Sequence, residues 1–93
     1  MTIRSNAISV EEWDILRRSL GLSLLQTEIV RRLFCGKSRQ EIAREMAIRP
    51  RTVRTQTNHL YREFGVSNRV QLVLHLLASL RKSWEQEGES LYV

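Results

Sequence analysis

The stretch SRQEIAREMAIRPRTVRTQTNHLYREFG, residues 38–65, decides the fold. Ser38 and Glu41 have the spacing of a capping box, which opens a short helix from Arg39 to about Met46. Ile42, Ala43 and Met46 point inward from it. Ala47-Ile48-Arg49 follows as a turn. Pro50 fits the first position of a second helix, where its missing N–H costs nothing. Val53, Leu60 and Phe64 recur at helical spacing on the inward face, with Thr57 between them. Gly65 suits the left-handed stop. Two helices that cross steeply need a small residue at the crossing, which Ala43 supplies. The turn needs an apolar plug, which Ile48 supplies. The unit is a helix-turn-helix.

The outer face of the helix Pro50–Phe64 carries Arg51, Arg54, Thr55, Asn58 and Arg62, with no acidic residue before Glu63. A helix that only packs is rarely so one-signed. The N-terminal turns of a reading helix enter the major groove deepest. Arg54, Thr55 and Asn58 lie there, about one turn apart, and are the candidate base contacts. Arg54 suits guanine O6/N7, and Asn58 suits adenine N6/N7. Arg51, Thr52, His59, Arg62 and Arg69, flanking these or further along, are the candidate phosphate contacts. Lys37, Ser38 and Arg39 join them, because the start of the shorter helix offers free N–H groups and positive charge.

Outward from this unit the chain reads as all-α, with five helices and no strand. Ser9 and Glu12 open a helix over Val10–Leu20, whose stripe is Val10, Trp13, Leu16 and Leu20, and Gly21 stops it. Ser23 and Gln26 open Leu24–Phe34, whose buried face is Leu25, Ile29, Val30 and Leu33, and Gly36 ends it. The last helix starts after Ser67-Asn68 and runs from Arg69 to about Gln86, before a polar tail. Its apolar residues Val70, Leu72, Val73, Leu74, Leu76, Leu77, Leu80 and Trp84 cover roughly 200° of its surface, about twice what one core needs. The surplus calls for the first helix, a second subunit, or both. A homodimer through Val70, Val73, Leu74 and Leu77 is favoured, with two reading helices about one DNA turn apart. Trp13 and Trp84 are expected to fold the first helix onto the last.

Composition agrees. The chain has 93 residues and a net charge of +5. Residues 23–69 alone hold ten basic and four acidic side chains, and nine of the ten are Arg, which forks onto phosphate and guanine edges. No apolar run approaches the roughly 18 residues a bilayer requires, so no membrane partner is expected. The first ten residues lack the apolar segment of a signal peptide. A cytoplasmic, nucleoid-associated protein is the expectation. Cys35 is the one cysteine, which rules out an intrachain disulfide, and core packing is its expected role. His59 and His75 are sixteen positions apart without a carboxylate or thiolate partner, so neither metal nor cofactor is expected. No catalytic constellation stands out.

From Leu22 to about Leu80 the sequence closely resembles the LuxR/FixJ/NarL-type (GerE-like) helix-turn-helix domain. The resemblance is carried by LSLLQTEIVRRL (22–33), Gly36-Lys37-Ser38, EIAREM (41–46), TVR (52–54), FGV (64–66) and Asn68-Arg69. It implies a four-helix DNA-binding domain, here with an additional N-terminal helix, dimerisation through the last helix, and bacterial transcription control. The sequence departs from the pattern at four places. Arg49 stands where Ser or Thr often caps the reading helix. Gln56 replaces a common His, Glu63 a usually basic residue, and Gln26 a frequent Glu. The division expected is an N-terminal extension over 1–21, the DNA-binding domain over 22–86 and a polar tail over 87–93. Residues 1–21 are too few for a receiver or a signal-ligand pocket, so the chain resembles the single-domain members, a piece of a longer protein being the alternative. Two other functions compete. One is an interaction module that pairs with a related regulator or contacts RNA polymerase. The other is a general nucleoid binder. The intact Arg54, Thr55 and Asn58 favour a sequence-reading factor.

Overall fold

Three serines set three of the helix starts. In the computed structural model, which describes the backbone of residues 8–91 and the side chains of residues 8–85, α1 (Val10–Leu20), α2 (Leu24–Phe34) and α3 (Arg39–Met46) each begin with a complete capping box. The pairs are Ser9 with Glu12, Ser23 with Gln26 and Ser38 with Glu41. Each ties up two of the N–H groups that a helix start leaves unpaired. α4 (Pro50–Phe64) begins differently. Its N-cap is Arg49, which makes no side-chain cap, and Pro50 presets the first turn instead. α5 (Arg69–Leu91) is capped by Asn68, whose Oδ1 accepts from the Gln71 N–H at 2.9 Å. The described residues contain no strand.

The turn between α3 and α4 forces Ala47 into the left-handed region, at φ 54°. That conformation lets the Ile48 N–H reach the Ala43 carbonyl at 3.0 Å, and Ile48 then packs against the core as the plug. Ala43 is buried at the crossing, as its size requires.

One core joins Ile29, Val30 and Leu33 of α2, Ile42 of α3, Val53 and Leu60 of α4, and Leu72, Leu76 and Leu80 of α5. α1 closes it from the side of α5 with Trp13 and Leu16. Trp13 meets Phe34 edge to face, with ring centroids 5.8 Å apart. Trp84 donates from Nε1 to Glu12 Oε2 at 3.0 Å, and the Ser19 and Ser83 hydroxyls lie 3.5 Å apart. α1 thus folds onto α5 within one chain, although the two tryptophans serve it with different partners.

Several expectations need correction. Val10 is 74% exposed and Leu25 is also exposed. Both lie in the first turn of their helix, where the apolar period continues but the neighbouring helices do not reach. Leu22 and Thr27 are buried instead. Cys35 is exposed, not packed in the core. It is the C-cap of α2, where the backbone leaves the helix and carries the side chain off the inward face. α5 runs on to Leu91, past the end expected near Gln86. Its extra turn holds no Pro, and Gly88 weakens a helix without breaking its hydrogen bonds. Of the expected tail, residues 92 and 93 lie outside the described residues, as do residues 1–7 of the expected N-terminal extension.

Candidate nucleic-acid interface

α4 is divided lengthwise. Val53, Thr57 and Leu60 are buried, while Arg51, Arg54, Thr55, Asn58 and Arg62 are exposed. Burial of the first set aims the second outward, because residues three and four apart share a face. The starts of α3 and α4 meet in a shallow concavity lined by Arg39, Gln40, Pro50, Arg51, Arg54 and Thr55. The structure therefore brings Arg39 together with three of the α4 candidates. Gln40 was not singled out from the sequence. Its signal was its place beside Arg39 in the first turn of α3. Thr52 is half-buried, on the flank of α4 that also carries His59. His59 is exposed and, against the expectation that it lacks a carboxylate partner, its Nε2 lies 3.4 Å from Glu63 Oε2, one helical turn on. Arg69 is half-buried at the first position of α5.

Lys37 and Ser38 are placed otherwise. Ser38 Oγ accepts from the Glu41 N–H at 3.1 Å, so the hydroxyl is spent on the cap. Glu41 answers from its carboxylate to the Ser38 N–H, and this backbone hydrogen bond holds its pKa below the usual value. Lys37 forms an ion pair with Glu45. Glu45 also accepts from Arg32 at 3.1 Å, and Glu28 accepts from Arg32 at 3.0 Å and Arg31 at 3.1 Å. The chain of charges lines a second concavity with Trp13 and Cys35, apart from the first. The Lys37 hydrogen bond holds the Glu45 carboxyl below its usual pKa. Burial pushes Glu28 up, but the hydrogen bonds and charges of Arg32 and Arg31 outweigh it and leave the group lowered. Burial likewise opposes the Arg32 charge, and the two carboxylates outweigh it, raising its pKa.

The acids of the central segment are thus consumed locally. Glu28 and Glu45 are paired with Arg31, Arg32 and Lys37, and Glu63 sits against His59. Among the described residues, Arg39, Arg51, Arg54 and Arg62 have no carboxylate within 4.0 Å. These four arginines, one on α3 and three on α4, are all exposed.

A helix-turn-helix whose second helix offers free arginines and amides outward defines a DNA-binding regulator. The chain belongs to the luxR family of bacterial regulatory proteins, whose family model matches residues 21–76. It is 44% identical over 59 residues to the probable HTH-type transcriptional regulator GfsR of Streptomyces halstedii. It is 40% identical over 52 residues to the probable transcriptional regulatory protein NarL of Mycobacterium tuberculosis. A putative HTH-type transcriptional regulator of Mycobacterium bovis, Mb0914c, is 38% identical over 53 residues. The matches cover 63%, 56% and 57% of this chain but only 24%, 24% and 6% of those proteins, so the chain spans a quarter or less of each relative. No solved structure matches it. The residues matched correspond to α2, α3, α4 and the first part of α5, while α1 lies outside them. Among the described residues, no helix is long and apolar enough to cross a membrane.

Proposed function

We propose that this chain reads a duplex operator by laying α4 in the major groove. Arg54, Thr55 and Asn58 meet base edges, and Arg39, Arg51, Thr52, His59, Arg62 and Arg69 meet phosphates. Lys37 and Ser38 contribute through the field and backbone of the α3 start. The observation that carries this is the set of unpaired arginines around the α3–α4 concavity. The domain division expected from the sequence is retained, with residues 22–86 as the DNA-binding part. The protein works on chromosomal DNA in the cytoplasm.

The active form is a homodimer through the N-terminal half of α5. Leu72, Leu76 and Leu80 are consumed by the core, yet Val70 is 68%, Leu74 59% and Leu77 42% exposed, with Val73 half-buried beside them. α1 also packs on α5, yet these residues stay exposed, so among the described residues this face has no cover. The same face suits the corresponding helix of a longer related regulator, which the size of the matched relatives makes the second reading.

Selection of bound duplexes from a random pool at physiological salt tests it. A short inverted repeat is expected. Arg54→Ala should relax one position of each half-site by about 1–3 kcal/mol, whereas Arg62→Ala should weaken all sequences alike and lower the salt slope by about 1. Failure of a folded protein to enrich any sequence would overturn direct reading and turn the search to a protein partner.

A further inference from the structure

Among the described residues, one side-chain hydrogen bond joins α4 to another helix. Gln26 Nε2, on α2, donates to Gln56 Oε1 at 3.3 Å. The capping box dictates its direction. Gln26 Oε1 already accepts from the Ser23 N–H at 3.1 Å, so the amide must present its Nε2 to α4, and Gln56 must answer with oxygen. A relay of two hydrogen bonds therefore runs from the Ser23 backbone, the fixed end of α2, to the flank of the reading helix. Gln56 is half-buried on that flank, in the turn that also exposes Thr55 and Asn58. Burial of Val53, Thr57 and Leu60 sets which face of α4 turns outward, but apolar contacts are not directional and tolerate small rotations about the helix axis. A hydrogen bond does, since it weakens steeply with misalignment.

We propose that Gln26 and Gln56 are a positioning pair that trims the roll of α4 within the range its buried face allows, and with it how squarely Thr55 and Asn58 meet the base edges. Gln26 never touches DNA and acts only through Gln56. The pair's role rests on α4 being the DNA-reading helix, but its first consequence appears without DNA.

Three variants, Gln26→Met, Gln26→Glu and Gln56→Met, separate the possibilities. Gln26→Met removes the relay, and Gln26→Glu keeps it, because a carboxylate still caps Ser23 and accepts from a flipped Gln56 amide. In the free protein, Gln26→Met is expected to move the backbone amide resonances of residues 54–59, and Gln26→Glu to leave them near their wild-type positions. In the DNA selection, Gln26→Met and Gln56→Met should each flatten the preference for the bases read by Thr55 and Asn58 by about tenfold, within the range of a misaligned base contact. Gln26→Glu should retain the preference. Unmoved α4 resonances in Gln26→Met overturn the proposal whether or not DNA is bound. So does a changed preference in Gln56→Met alone, which would make Gln56 a direct contact. A wild-type protein that enriches no sequence overturns the DNA reading, while the resonance test still judges the pair.

Discussion

The indole of Trp84 donates its N–H to Glu12 Oε2 at 3.0 Å, joining residues 72 positions apart. The other carboxylate oxygen of Glu12 accepts from the Ser9 N–H at 2.9 Å. One side chain therefore starts α1 and ties it to the far half of α5. Glu12→Gln has a single acceptor oxygen and must give up one bond. Glu12→Ala gives up both. We expect losses of about 0.5–1 and about 1–2 kcal/mol in denaturant unfolding. Equal stabilities for the two variants would mean the Trp84 bond contributes nothing in solution.

Acid should loosen the same contacts. The Ser9 backbone bond, then the Trp84 bond, hold Glu12 below the usual glutamate value of 4.5, and ion pairs do the same for Glu28 and Glu45. A carboxylate with a depressed folded pKa contributes stability that is present above the unfolded value and is lost as pH falls through the folded one. The melting temperature should therefore decline as pH drops below about 4.5, the usual glutamate value. A melting temperature that rises between pH 5 and 3 would contradict this sign.

Ala47 holds a left-handed backbone with a Cβ in the way, at φ 54°. Glycine adopts that conformation without the clash. Ala47→Gly should stabilise the fold by about 0.5–1 kcal/mol, measured by thermal unfolding. Destabilisation would show that the Ala47 methyl group packs usefully in the turn.

Thr57 is 1% exposed, and its hydroxyl has no hydrogen-bond partner among the described residues. A buried hydroxyl without a protein partner costs desolvation that no protein hydrogen bond offsets. Thr57→Val, nearly the same shape, should raise stability by about 1 kcal/mol without altering DNA preference. Loss of stability would point to a buried water serving the hydroxyl.

Leu74 and Leu76 are two positions apart on α5, yet Leu74 is exposed and Leu76 fully buried. Leu76→Ala should cost about 2–5 kcal/mol of folding free energy. Leu74→Glu should leave the melting temperature nearly unchanged and abolish cooperative binding to a two-half-site duplex in a gel-shift titration. Cooperative binding that survives Leu74→Glu would place the dimer contact elsewhere.

The helices of this protein were legible in its sequence because their boundaries are local affairs. A serine and an acid or amide three residues on, a proline at a first turn and a glycine at a last one act within a few residues of themselves. They delimit α1 to α4 at the residues expected. The free outer face of α4 was legible for the same reason, since its buried residues repeat within one helix. Tertiary structure alone decided matters that join distant positions. Apolar period could not say that Leu72, Leu76 and Leu80 fill the core while Val70, Leu74 and Leu77 stay open, because a core and an interface ask for the same side chains. Nor could it direct Lys37 to Glu45 or bring Gln26 to Gln56. Those outcomes depend on how the helices cross, and no window of sequence shorter than the whole fold contains that geometry.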